Sequence, residues 1–220
     1  MRGLFITGTD TEVGKTRIAA AMLRRAAQAG MSTVAMKPVA AGCDHTPHGW
    51  RNADALALQS AATVTLDYAT VNPVALPEPV APHLAAREAG RVLSLEALVA
   101  AYRDLPQADL AVVEGAGGWR VPLGDGTTLA TLAKALGLEV VLVVGLRLGC
   151  LNHAQLTAEA IRADGCSLAG WVANCAGRPP KRADAQVATL REVLPAPCLG
   201  VVPRLSDASA DAVSAHLTLP

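Results

Sequence analysis

Although 51% of its 220 residues are hydrophobic, the chain has no long apolar run. Arg, Asp, Glu or Gly breaks each stretch well before the roughly 18 uncharged residues that a membrane helix needs, so a membrane span is excluded. Net charge is lacking too, with 19 Lys plus Arg against 19 Asp plus Glu. No global field is available to hold nucleic acid or an anionic bilayer, and a charged ligand must be caught locally. There is no C-x-x-C pair: Cys43, Cys150, Cys166, Cys175 and Cys198 are odd in number and scattered. That pattern argues against a disulfide framework and against zinc, and reduced thiols are its simplest account. The first residues, Met1 to Gly8, carry neither a long apolar segment nor a small-residue cleavage site, so a cytoplasmic protein is expected. No internal repeat or low-complexity tail is found, and the apolar content excludes disorder.

What is present is an alternation. Short runs rich in Val, Ile and Leu recur at Gly3–Thr7, Ser32–Met36, Leu110–Val113, Val140–Val144, Leu168–Ala173 and Cys198–Val202. They read as buried strands. Between them, Ala, Leu and Arg fall at helical spacing near residues 16–29, 53–62, 94–104, 128–136, 153–164 and 181–193. Strands alternating with helices predict an α/β fold with a mostly parallel central sheet covered on both faces and ligands at the carboxyl ends of the strands. The length suits one domain over residues 1–220. The segment Asn72–Arg91 breaks the rhythm with Pro73, Pro77, Pro79 and Pro82, and it predicts a long, stiffened loop that serves as a lid or a binding wall. Asp44-His45-Thr46-Pro47-His48 reads as a solvated turn and not as a metal clip.

After the first strand comes Gly8-Thr9-Asp10-Thr11-Glu12-Val13-Gly14-Lys15-Thr16, followed by an apolar-faced helix. Strand, loop, Gly-Lys-Thr and helix form the context of a phosphate-binding P-loop, although Gly8 lies one residue further from Gly14 than the strict pattern asks. In such a loop backbone N–H groups face the phosphates, Lys15 adds a point charge and the Thr16 hydroxyl can ligate magnesium. Lys15 and Arg17 also stand at the positive end of a helix, where each cation is disfavoured by roughly 0.3–1 kcal/mol. A bound polyanion such as ATP removes that penalty.

The chain uses 15 Arg but only four Lys, which makes Lys37 informative. It follows the second strand in Met36-Lys37-Pro38, at the same sheet edge as the loop, where an ammonium can stabilise charge on a transferring phosphoryl group. Glu114 is expected to end the strand Leu110–Val113, a placement like that of a magnesium-binding acid. Asp54 opens a predicted helix, where it is either a second metal ligand or a helix cap. Asn174 closes the fifth strand; its amide matches adenine N6 and N7, or else it simply turns the chain. Gly149-Cys150-Leu151-Asn152 precedes a helix expected from His153, so Asn152 is a cap or part of an anion site for a substrate carboxylate.

Taken together, several blocks resemble the dethiobiotin synthetases. They are Thr7 to Thr16, Lys37-Pro38-Val39, Asn52 with Asp54-Ala55-Leu56, Pro82-His83, Glu114 to Gly118, Gly149-Cys150 with Asn152-His153, and Gly170 to Asn174. The resemblance implies a homodimeric P-loop NTPase-like fold that converts 7,8-diaminononanoate, CO2 and MgATP to dethiobiotin, ADP and phosphate. By the same resemblance Lys15 and Lys37 are catalytic, Thr16, Asp54 and Glu114 hold magnesium, and Thr11, Lys37, Ala41 and Gly149 to Asn152 contact the substrate, the last four in the partner subunit's site. ATP contacts are implied for Glu12, Val13, Gly14, Lys15, Thr16, Arg17, Asp54, Glu114, Gly115, Ala116, Gly117, Asn174, Cys175, Pro203, Arg204 and Leu205. Arg17 and Cys175 have no role that their own chemistry supplies, and Ala41 lacks the hydroxyl that relatives often carry there. The rival class, ParA- or MinD-like switch ATPases, resembles K-G-G-x-G-K-T at the loop. Here Asp10 replaces the signature lysine, with Thr11 and Glu12 in place of the two early glycines.

Overall fold

The computed structural model describes residues 1–178 and 180–220. Six strands form the main sheet: β1 (Arg2–Gly8), β2 (Thr33–Met36), β3 (Leu110–Gly118), β4 (Glu139–Gly145), β5 (Leu168–Asn174) and β6 (Cys198–Val202). Their order is β6-β5-β4-β1-β3-β2, and every adjacent pair is parallel. From β1 the chain runs out to the edge at β2, returns to β3, then crosses β1 to reach β4. Winding therefore reverses at β1, and the crevice at its carboxyl end is the place where such sheets bind ligands.

Helices cover both faces. Packed on one are α1 (Lys15–Gln28), α2 (Ala53–Ala61) and, near the carboxyl terminus, α9 (Ala210–Ser214). The other carries α4 (Pro82–Glu88), α5 (Leu95–Arg103), α6 (Leu129–Leu136), α7 (Cys150–Ala163) and α8 (Ala183–Val193). A short turn of helix, α3 (Tyr68–Val71), packs beside β2. The strands are buried on both faces, and the face on which each residue packs follows their two-residue period. Leu4, Ile6, Val112, Val141 and Val143 pack with Ile18, Met22 and Leu23 of α1, whereas Phe5, Val113 and Val140 pack with Leu98 and Leu132. Trp119 meets Phe5 edge-on on that second face, with ring centroids 6.2 Å apart.

The same phase orients the chemistry. Glu114 pairs in register with Ile6, so its side chain faces α1. Lys37 comes one residue after Met36 and is in phase with Ala35, which packs on the α1 face.

Three expectations need correction. Glu114 does not end its strand, because β3 continues to Gly118 and, past a register shift, Gly118 pairs with Gly8. Pairing of Gly118 with Gly8 therefore brings the end of β3 alongside the start of the loop. The segment 72–91 is not simply a loop. Val74–Ala75 pairs with Val39–Ala40, and α4 begins at Pro82. Proline is tolerated at a first helical position, where its missing N–H would have had no partner. Finally, α7 begins at Cys150 with Gly149 as its cap residue, so Asn152 lies inside the first turn and does not cap the helix.

Candidate active site

The loop after β1 wraps around the start of α1. Gly14 at the helix start has φ 91°, and a Cβ there would sit 2.1 Å from Asn174 Nδ2. Only glycine fits this left-handed, close-packed position. No side chain caps α1 and no acid occupies its first turn, so its leading N–H groups are left available to an anion. Glu12 takes a left-handed backbone, φ 59°, which is rare and strained for a non-glycine residue. Asp10 anchors the loop by accepting from the Thr11 N–H at 2.8 Å and pairing with Arg147. Lys15 Nζ donates to the Asp10 carbonyl at 3.0 Å.

Next to the loop lies a tight charge cluster. Lys37 Nζ donates to Glu114 Oε1 at 2.7 Å and to Asp54 Oδ2 at 2.9 Å. Thr16 Oγ1 donates to the same Glu114 oxygen at 2.8 Å. Glu114 Oε2 is buried with no partner, a rare condition for a carboxylate oxygen. Asp54 is placed by α2, which Asn52 caps by accepting from the N–H groups of Asp54 and Ala55. The carboxylate of Asp54 is therefore not the cap and is free to meet Lys37.

Protonation follows from burial and charge. Burial pulls Lys37 down, but the Glu114 and Asp54 charges and their hydrogen bonds outweigh it and hold the ammonium above the ordinary lysine range. Burial pushes the Glu114 carboxyl up, opposed by Lys37. Asp54 loses some solvation, yet Lys37 and Thr16 hold it below the usual carboxylate range. Lys15 is lowered, chiefly by burial and in part by Lys37.

These groups open onto a cavity of about 580 Å³. Thr11, Glu12, Gly14, Lys15, Thr16, Lys37, Ala41, Asp54, Glu114, Ala116 and Gly117 all line it, so about half of the residues singled out in the sequence come together here. Pro79, Val80, Ala81 and Pro82 complete an apolar wall with Ala40 and Val121. Residues 79–82 of the proline-rich segment thus form one wall of this cavity. Apart from the prolines, nothing in the sequence singled out these wall residues, because their contribution is shape and not chemistry.

Other singled-out residues lie elsewhere. Val13 is buried in the core, and Gly115 presents its carbonyl to Lys37 Nζ at 3.5 Å. Arg17 lines a second cavity with Thr16, Arg24 and the start of α9. Asn174 is fully buried; its Nδ2 donates to the Val13 carbonyl at 2.8 Å, and only Oδ1 lacks a partner. Its donor is thus engaged by the phosphate loop itself. Cys175 is buried beside it, and Pro203, Arg204 and Leu205 follow β6, with Leu205 packed against the core. Gly149 to Asn152 form the start of α7 outside the cavity, and the buried Cys150 thiol donates to Gln186 Oε1 at 3.2 Å.

Among the described residues no group of three or more His, Cys, Asp or Glu is clustered to hold a metal ion. Two carboxylates and one hydroxyl converge instead, a set that suits magnesium when phosphate oxygens and water supply the remaining positions. The unpartnered Glu114 Oε2 fits such a use. No helix among the described residues is long and apolar enough to cross a membrane.

A glycine-lysine-threonine loop between β1 and α1, at the winding reversal of a parallel sheet with an acid on the adjoining strand, defines a P-loop nucleotide-binding α/β protein. A family model described as an AAA domain matches residues 2–212. The chain is 58% identical to the ATP-dependent dethiobiotin synthetase BioD of Pseudomonas paraeruginosa (strain DSM 24068 / PA7), an alignment covering 100% of this chain and 97% of that protein. Identity is 57% to the protein of the same name from Cellvibrio japonicus (strain Ueda107), over 99% and 96% of the two chains. With that from Chromohalobacter salexigens it is 52%, over 100% and 99%. The chain belongs to the ATP-dependent dethiobiotin synthetase family of cyclo-ligases.

Solved structures share the fold at far lower identity. The MinC:MinD cell division protein complex of Aquifex aeolicus superposes with a TM-score of 0.61 at 14% identity, covering 96% of this chain and 86% of that one. The septum site-determining protein MinD complexed with Mg-ADP from Pyrococcus horikoshii OT3 gives 0.52 at 18%, covering 92% and 81%. These likenesses show the fold alone, and a fold does not by itself assign an activity.

Proposed function

We propose that this cavity closes the ureido ring of dethiobiotin on 7,8-diaminononanoate, using CO2 and ATP, as the penultimate step of biotin biosynthesis. The observation that carries the reading is the Lys37 ammonium, buried between Glu114 and Asp54 in the cavity that Lys15 and Thr16 also line. One amine of the substrate adds to CO2, forming a C–N bond and losing a proton to water. The resulting carbamate is a poor acylating agent, because its oxygen is a bad leaving group. Its oxygen therefore attacks the γ-phosphorus of ATP, breaking the bond to ADP and giving a carbamic-phosphoric anhydride. The second amine attacks the carbonyl carbon, phosphate leaves, and the ring closes with loss of a second proton.

Each step gathers negative charge within reach of the two ammonium groups. Lys15 holds the phosphates, and Lys37 serves the carbamate and the transferring phosphoryl group. Thr16, Asp54 and Glu114 would hold magnesium, which neutralises phosphate charge. Thr11 touches a substrate amine, Ala41 contacts the substrate, and the apolar wall at Pro79–Pro82 suits its alkyl chain. Nucleotide contacts extend through Glu12 to Arg17 and Gly115 to Gly117 to Asn174, Cys175 and Pro203 to Leu205. The whole chain acts as one domain of a cytoplasmic homodimer, in which Gly149 to Asn152 of each subunit complete the partner's site. Leu148, just before that turn, is 95% exposed, which favours such a contact.

In the test, phosphate release requires the diamine and CO2 together, and Lys37→Gln abolishes it while ATP still binds. Brisk ATP hydrolysis stimulated by DNA or lipid, with none from the diamine, would overturn the reading in favour of a switch ATPase.

A further inference from the structure

We propose that Tyr68 and Asn72 are positioning residues for Lys37, joined to it by a directional hydrogen-bond relay that also fixes the Asp54 helix. The proposal deepens the reading of Lys37 given above and rests on it. Lys37 lies just past β2, an edge strand whose one sheet neighbour is β3, so no strand is available on its outer side to hold its main chain. Its N–H donates instead to the Val71 carbonyl, and its carbonyl accepts from Asn72 Nδ2, both at 2.7 Å. Asn72 is buried, and its amide orientation is unambiguous, because the Lys37 and Val74 carbonyls can only accept. Asn72 Oδ1 must then be an acceptor, and it receives the Tyr68 hydroxyl at 2.9 Å. That hydroxyl accepts in turn from the Asn52 N–H at 2.7 Å.

Asn52 closes the ring. Its side chain caps α2, from which Asp54 reaches back to the Lys37 ammonium at 2.9 Å. Its Nδ2 also donates to the carbonyl of Ala41, on the cavity wall, at 3.4 Å. The relay thus runs from the Lys37 backbone through Asn72, Tyr68 and Asn52 to Asp54 and returns to the Lys37 side chain. Every donor and acceptor along it has one possible direction. The Arg51 guanidinium lies 4.1 Å from the centre of the Tyr68 ring and covers it. A lysine that stabilises a developing charge must keep its anchor while its ammonium changes partners, and small displacements of such a group are costly. The relay supplies that anchor on a sheet edge that cannot.

The test is Tyr68→Phe in the full-length protein, which keeps the ring and removes one hydroxyl. Two readouts are combined. Amide hydrogen exchange is expected to quicken roughly tenfold at Lys37, Asp54 and Ala55, with β4 amides unchanged. The turnover number for dethiobiotin formation is expected to fall roughly tenfold per folded molecule, with the KM for ATP held within about twofold. A second variant, Asn72→Ser, should behave likewise, and the double variant should be no slower than the slower single one, since both act through one relay. Unchanged exchange at Lys37, an unchanged turnover number, or effects that multiply would each overturn the proposal. Should Tyr68→Phe fail to fold, Asn72→Ser carries both readouts. If the unaltered protein makes no dethiobiotin, the functional reading falls, while the exchange measurement still decides the relay.

Discussion

Replacing Lys37 by glutamine tests the charge cluster by stability as well as by turnover. Lys37 and Glu114 meet at 2.7 Å with side chains only 4% and 0% exposed. Removing one partner of a buried pair destabilises by about 3–5 kcal/mol, because the other charge is left uncompensated. The Lys37–Asp54 contact adds little, since the Asp54 side chain is 45% exposed and solvent screens it. Glu114, however, has a way out: burial already pushes its carboxyl up, and without the ammonium it will take a proton more readily still. In the variant its folded pKa lies further above the unfolded value. Its protonated form is fully accommodated at acid pH, and stability is lost as pH rises through the folded pKa, at up to about 1.4 kcal/mol per pH unit. The deficit relative to the unaltered protein should therefore be about 1–2 kcal/mol near pH 5, where a glutamine amide facing a neutral carboxyl is only an imperfect hydrogen bond. It should grow towards about 3–5 kcal/mol near pH 8. Urea unfolding of both proteins across that range measures it. A deficit that stays constant with pH would refute the reasoning, since Glu114 would then not be the group that answers the loss of Lys37.

Two further substitutions address the loop and its acid. Thr16→Val removes the hydroxyl that donates to Glu114 at 2.8 Å and should weaken magnesium-dependent ATP binding roughly tenfold by calorimetry, with little change when magnesium is left out. Gly14→Ala places a Cβ 2.1 Å from Asn174 Nδ2 on a backbone at φ 91°. It should destabilise by about 1–3 kcal/mol in thermal unfolding and abolish ATP binding, and an ATP affinity within threefold of the original would show that the loop tolerates a shift.

Much of this architecture is visible without coordinates because it depends on local periodicity. The six apolar runs are the six strands, and their spacing from helical segments requires parallel crossovers. Lys37 stands out because lysine is scarce, and Glu114 because an acid directly follows an apolar run. Sequence spacing could not decide whether Asp54 caps its helix, since Asn52 and Asp54 are both good caps; only the geometry assigns the cap to Asn52 and leaves the carboxylate for Lys37. Helix α4 was hidden because proline reads as a breaker except at a first helical position.

The chain by itself determined the α/β alternation, the phosphate loop and the residue types able to handle a triphosphate, because those depend on neighbours within a few positions. What it could not determine is which groups share a proton, a metal or a hydrogen bond. The meeting of Lys37 with Glu114, 77 positions away, was decided by strand order, and the Asn72–Tyr68–Asn52 relay around it by the packing of α2 and α3 beside β2. Insertion of β3 between β1 and β2 brings Glu114 beside Lys37, and the two-residue phase of the strands turns both towards Thr16 on α1. Such long-range pairings leave no periodic trace in a linear chain, because the free energy that selects them is that of burying all the strands at once.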